Sequence, residues 1–146
     1  MTTSEEMVRD GDGGPTPITL AVIRESDVSH LRILTTEMAR HAGFQPSEIY
    51  RLATAVSELG NNLVFHATRG GRMSVTPLFA GARLGIEIVA EDEGPGITDI
   101  ALAMTDGFTT NRGLGGGLPG CRRLLDEFAI ASTFGLGTRI VGRLWR

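Results

Sequence analysis

The sequence predicts an α/β two-layer sandwich: one mixed, mainly antiparallel sheet with helices covering one face. Three observations carry this reading. Two long segments repeat apolar residues at spacings of three and four, as helices do. Short apolar runs come in pairs around glycine turns, as strands of a hairpin do. Helical segments and hairpins alternate along a chain of 146 residues, which is the length of one domain.

Residues 1–16 are polar and rich in Gly, Asp and Thr, and read as a flexible N-terminal tail ahead of a domain over 17–146. Residues 18–24 (ITLAVIR) read as a first strand. Ser26 reads as the N-cap of a helix to about His41, with Val28, Leu31, Leu34 and Met38 at helical spacing and Gly43 ending it. Pro46 and Ser47 open a second helix to about Ala67, whose stripe is Ile49, Leu52, Val56, Leu59 and Leu63. Gly70-Gly71 closes it. Strands over 73–79 and 84–90 flank an Ala80-Gly81-Ala82 hairpin turn. Residues 94–117 are irregular and glycine-rich, and a loop of that length in a small domain is often functional. A short helix from about Leu118 to Asp126 follows, then strands over 128–133 and 138–145 around Gly135-Leu136-Gly137.

Composition excludes several classes. Hydrophobic residues make up 41% and charged residues 21%, enough for a packed core and against general disorder. A net charge of −3 argues against a nucleic-acid surface. No apolar run approaches membrane-spanning length, and the acidic N-terminus lacks a signal-peptide core. A single Cys, Cys121, has no disulfide partner within the chain. These features lead to an expectation of a soluble, cytoplasmic protein that engages neither membrane nor nucleic acid. Glycine is the outlier at 20 residues, roughly twice the usual 7%. All 14 basic residues are Arg, and the chain has no Lys.

Three constellations carry chemistry. Glu58, Asn62 and His66 stand at i, i+4 and i+8 of the second helix and share a face offset from its apolar stripe. An ordinary solvated face explains that spacing equally simply. Gly60-Asn61-Asn62, however, puts three weak helix formers in a row, and such local violations tend to mark functional sites. Asp92-Glu93-Gly94-Pro95-Gly96-Ile97 ends a strand. A carboxylate there can accept a hydrogen bond from a ligand amino group, with glycines where a flat ring approaches; a plain Gly-Pro turn is the alternative. Gly113-Leu114-Gly115-Gly116-Gly117-Leu118 runs straight into a helix, and backbone N–H groups at such a start face an anion. A Walker A loop and the common protein-kinase fold both need a Lys that is absent. Gly115, Gly117 and Gly120 match a dinucleotide fingerprint, but neither the preceding strand nor the ribose-binding acid accompanies them.

In this order, with Gly137-Thr138 opening the last strand, the motifs resemble the GHKL ATPases, whose gyrase-type, Hsp90-type, histidine-kinase-type and MutL-type members share the Bergerat fold. Within that superfamily the chain is similar to the small anti-sigma-factor serine kinases, above all the switch kinases of stressosome pathways, over roughly residues 18–146. The resemblance implies Glu58 as catalytic base and Asn62 as oxygen ligand of Mg²⁺. It implies Asp92 on the adenine amine, with Gly94 and Gly96 beneath the ring and Thr138 supporting the pocket. Gly113, Gly115 and Gly117 would line the phosphates of ATP, with Ile97, Gly116 and Leu118 completing the nucleotide contacts. These roles are chemically coherent. Mg²⁺ accepts few protein oxygens when phosphates supply the rest, and phosphoryl transfer is mostly positioning and charge neutralisation.

The chain departs from the pattern at Gly60-Asn61, where these kinases usually carry a small and a basic residue, at His66, and at Arg112 before the glycine loop. The implied function is an Mg-ATP-dependent serine/threonine kinase phosphorylating a STAS-domain antagonist and activating a PP2C-type phosphatase. The alternative is an anti-sigma factor that sequesters a sigma subunit. A nucleotide-gated module without catalysis is a third reading, against which Glu58 stands. His30 and His41 read as surface residues, Cys121 as a small packed side chain, and Trp145 as packing on the last strand.

Overall fold

A computed structural model describes residues 16–67, 70–92, 117–133 and 137–146. The elements run β1 (Ile18–Val22), α1 (Glu25–His41), α2 (Pro46–His66), β2 (Gly71–Ala80), β3 (Arg83–Asp92), α3 (Gly117–Leu124), β4 (Glu127–Thr133) and β5 (Gly137–Trp145). The five strands form one sheet in the order β1-β2-β3-β5-β4. All four seams are antiparallel, so the mainly antiparallel sheet expected from the hairpins holds, and no parallel seam is among the described residues. The tail expected over 1–16 lies almost wholly outside the described residues.

The helix starts follow from which side chain can close free N–H groups. The expected Ser26 cap is not used; Arg24 is the N-cap residue in extended conformation. Asp27 takes over, its carboxylate accepting the N–H groups of both Ile23 and Arg24 at 3.0 Å. One serine hydroxyl satisfies a single donor here, whereas Asp27 satisfies two and adds a negative charge at the positive end of the helix. Those two backbone hydrogen bonds hold the Asp27 carboxyl below its ordinary pKa. Gly43, at φ +83°, turns the chain out of α1 in the left-handed conformation that side chains resist. In α2, Pro46 occupies the first turn and Glu48 accepts the Gln45 N–H at 2.7 Å.

Register sorts each strand into two faces. Ile18, Val75 and Ile88 form one cross-strand row, and Leu20, Met73, Ala90 and Ile140 the next. These rows are buried beneath the helices with Leu52, Val56, Leu59 and Leu63 of α2. Full burial of a side chain of this size contributes about 1.5–3 kcal/mol. The opposite face carries Arg72–Glu91–Arg139 at 3.2 and 3.6 Å, and Glu87–Arg143–Glu127 at 2.9 and 3.2 Å. Exposed pairs of this kind contribute little to stability, but they make that face polar.

α2 is the centre of the packing. Every residue from Ala55 to Gly60 is buried, because the sheet, α1 and α3 all touch this helix. Gly60, which the sequence offered as a sign of function, has a packing cause. A Cβ there would lie 2.9 Å from both methyl groups of Val28 on α1. The glycine sets how closely the two helices approach.

Gly60→Ala is therefore expected to lower stability by about 1 kcal/mol, although alanine favours a helix by about the same amount over glycine. In a Val28→Ala background both methyl clashes disappear and only the Cβ at 3.3 Å remains, so the same substitution should turn stabilising. Urea unfolding of the four variants checks the reversal of sign. The Asp27 cap adds a pH dependence. Because its folded pKa is lowered, its stabilisation is complete above the ordinary value of 3.8 and fades as pH falls through the folded value. The stability gap between wild type and Asp27→Asn should shrink between pH 6 and pH 2.

Candidate active site

The expected base sits within the enclosed stretch of α2. Glu58 is only 4% exposed, and its Oε1 accepts the backbone N–H of Gly117 at 3.1 Å. Gly117 is the first residue of α3, in the left-handed conformation at φ +73°. The carboxylate thus occupies the positive end of α3, where free N–H groups and the helix dipole offset its burial. Two residues 59 positions apart, expected in one site, are in direct contact.

The same α2 face holds the other end of α3. Arg51, two turns before Glu58, donates from Nε to the Leu124 carbonyl at 2.7 Å and pairs with Asp126 at 3.7 Å. A cation is thereby set against the negative end of α3 and an anion against its positive end. The expected helix over 118–126 is accordingly observed over 117–124, ending where Arg51 takes the Leu124 carbonyl. Between the two anchors Cys121 is fully buried with its Sγ 4.0 Å from the Ala55 carbonyl. Burial, and then the Glu58 carboxylate, push its thiol far above the ordinary range, so the nucleophilic thiolate form is suppressed. The packed-side-chain reading of Cys121 holds.

Asn62 lies one turn beyond Glu58 and is half-buried, while His66, a turn further, is exposed. The expected face thus runs from core to solvent. Among the described residues the Asn62 amide has no hydrogen-bond partner, which leaves its carbonyl oxygen available to a cation. No group of three His, Cys, Asp or Glu able to hold a metal exists among the described residues. A hard cation held by one amide oxygen and a ligand's phosphates is compatible with this donor set.

The second half of the site lies at one end of the sheet. Asp92, the last residue of β3, is directly opposite Thr138 of β5, so both project from the helix-covered face that carries Ala90 and Ile140. Leu63 of α2 abuts Gly71, where a Cβ would also strike the Glu91 carbonyl. The C-terminal half of α2 therefore passes over the same end of the sheet as Asp92. Thr138 is 9% exposed, and its Oγ1 lies 3.0 Å from Oγ of Ser132 on the edge strand β4. Leu118 is buried in the core at the start of α3. Gly94, Gly96, Ile97, Gly113, Gly115 and Gly116 lie outside the described residues.

Sequence reasoning missed Arg51 and Ser132. Arg51 was visible as i, i+7 to Glu58 on one helix face. Ser132 was visible as a hydroxyl two residues after Ile130, hence on the same face of β4. The remaining expectations outside the site hold: His30 and His41 are exposed. The Trp145 ring covers Gly85, with the Arg83 guanidinium 4.7 Å from the ring centre.

Comparison with known proteins agrees with this fold. The family model for the histidine kinase-like ATPase domain matches residues 23–141. The serine/threonine-protein kinase RsbT of Bacillus subtilis (strain 168) is 40% identical over 124 residues, which are 85% of this chain and 92% of that protein. An anti-sigma F factor of Thermoanaerobacter sp. (strain X514) is 35% identical over 98 residues, 64% of this chain and 67% of that one. Among solved structures, the RsbU and RsbW domains of Rv1364c from Mycobacterium tuberculosis superpose with a TM-score of 0.60 at 18% identity. They cover 90% of this chain, which matches 34% of that longer one. The mycobacterial sensor histidine kinase MprB superposes at 0.50 and 18% identity, over 88% of this chain and 95% of that one. Among the described residues no helix is long and apolar enough to cross a membrane. The chain belongs to the histidine kinase-like ATPase domain family, in its branch of RsbT-type serine/threonine protein kinases.

Proposed function

We propose that this chain is a cytoplasmic Mg-ATP-dependent kinase that phosphorylates a serine or threonine of a STAS-domain antagonist and then activates a PP2C-type phosphatase. The contact of Glu58 with the Gly117 N–H carries this reading, because it sets a carboxylate beside the helix start where phosphates would bind. In the proposed reaction Glu58 takes the proton of the substrate hydroxyl. The hydroxyl oxygen bonds to the γ-phosphorus, the bond to the bridging oxygen breaks, and ADP leaves. Mg²⁺ would neutralise charge on the phosphates, and Asn62 would supply an oxygen to hold it. Asp92 accepts from the 6-amino group of adenine, with Thr138 beside it. Gly94, Gly96 and Ile97 would complete the base pocket, and Gly113, Gly115, Gly116, Gly117 and Leu118 the phosphate loop.

A second reading has support of its own. Similarity to an anti-sigma F factor favours a protein that sequesters a sigma subunit and uses phosphorylation to release it. The two share the nucleotide site and differ in partner.

Glu58→Gln is expected to separate chemistry from binding. The amide oxygen can still accept the Gly117 N–H, so α3 stays in place, but the amide is no base at neutral pH. Transfer of labelled phosphate from ATP to a candidate STAS protein should fall by roughly 10²–10⁴-fold. ATP affinity should change by less than about tenfold. Transfer at the wild-type rate would remove Glu58 from the chemistry. Absence of transfer by the wild type, together with capture of a sigma factor, would favour the second reading. Asp92→Asn should abolish ATP binding in a folded protein, because its NH₂ group faces the adenine amine donor to donor. Calorimetry beside a thermal melt reads both.

A further inference from the structure

The turn from α3 into β4 is tied down at three consecutive residues. The Leu124 carbonyl accepts from Arg51 Nε at 2.7 Å. Leu125 is buried over Gly142 of β5, where a Cβ would overlap its Cδ1. Asp126 donates its N–H to the Arg143 carbonyl at 2.9 Å, accepts the Trp145 N–H at 2.8 Å and faces Arg51 with its other oxygen. Leu125 and Asp126 thus bind this turn to the sheet, whereas Arg51 binds it to the helix that carries Glu58 and Asn62. The spacing on the two helices matches. Arg51 and Glu58 are seven residues apart on α2, and their partners Leu124 and Gly117 are seven apart on α3. Both spans are about 10.5 Å long. Cys121 meets the Ala55 carbonyl between them, so α3 lies antiparallel on α2 in one fixed register.

We propose that Arg51 is a positioning residue that sets the register of α3 on α2, and thereby the preference of the site for ATP over AMP. This rests on the reading of Gly117 and the glycine loop before it as the phosphate site. Without the guanidinium, Leu125 and Asp126 still hold the turn to the sheet, and α3 tilts about that turn. Over 10.5 Å, a tilt of roughly 10° carries Gly117 by about 2 Å, far beyond the tolerance of a hydrogen bond. The loss falls on the phosphates that AMP lacks. The base pocket, read at Asp92 and Thr138, stands on β3 and β5 and does not move with α3.

The test is the ratio of AMP to ATP dissociation constants with Mg²⁺ present, measured by competition against a fluorescent ADP. Arg51→Met keeps an unbranched stem and a good helix former but loses every donor. It should weaken ATP by about tenfold, the size of one hydrogen bond to a charged group, and AMP by less than about twofold. Arg51→Lys keeps a cation without the planar fork, so its ratio should fall between the two. It gives the same reading if Arg51→Met does not fold. Val28→Ala, a truncation on α1 against Gly60, lowers stability away from α3 and should keep the wild-type ratio. Equal losses for ATP and AMP in the Arg51 variants, or the same fall in Val28→Ala, would overturn the proposal and leave Arg51 a structural residue. The wild type separates the two levels. If it binds AMP as tightly as ATP, the phosphate-site reading fails, and this proposal with it. If it prefers ATP and the Arg51 variants prefer it equally, only the role of Arg51 fails.

Discussion

Burial of α2 on three sides is the constraint from which the rest follows. A helix enclosed by a sheet, a second helix and a third must offer each neighbour a different surface. It gives the sheet its leucine and valine stripe and gives α1 the bare backbone of Gly60. To α3 it gives two charges, Arg51 and Glu58. An isolated buried carboxylate costs several kcal/mol, so Glu58 is tolerable only where fixed positive charge meets it. The start of α3 supplies that charge from the backbone. The sequence needs no Lys at this point, and has none.

Holding α3 at both ends has a mechanical consequence. The glycine loop enters α3 at Gly117, so whatever fixes Gly117 fixes where that loop arrives. Glu58 does so directly, and Arg51 does so by setting the far end of a helix only two turns long. The proposed chemistry and the support of α3 thus share one helix face. A carboxylate that anchors α3 while proposed to accept a proton serves two demands, and its amide analogue separates them because it keeps the acceptor and loses the base.

The fold was legible because its signals are periodic and local. Apolar spacing marked both long helices, glycine turns marked both hairpins, and every described element lies within a few residues of its expected place. What resisted was decided by competition between neighbours. Ser26 and Asp27 are both good residues at a helix start, and only the geometry shows that one carboxylate closes two donors. Gly60 looked like a sacrifice of helix stability to function; its cause is Val28, 32 residues away and invisible to local propensity. At the site, Glu58, Asp92, Gly117 and Thr138 were legible as members of ordered motifs. Their pairing, Glu58 on Gly117 and Asp92 opposite Thr138, is a property of tertiary contact and register.

Ser132 shows why such residues escape a motif. A serine near a strand end has no spacing relation to Thr138 that distinguishes it from a surface serine. Its place comes from two tertiary contacts, with the Gly137 carbonyl at 3.2 Å and the Thr138 hydroxyl at 3.0 Å. Antiparallel pairing then sets these residues in one row across the sheet. β4 lies at the edge and β3 at the centre, so the row from Ser132 through Thr138 to Asp92 links an edge strand to the middle of the helix-covered face.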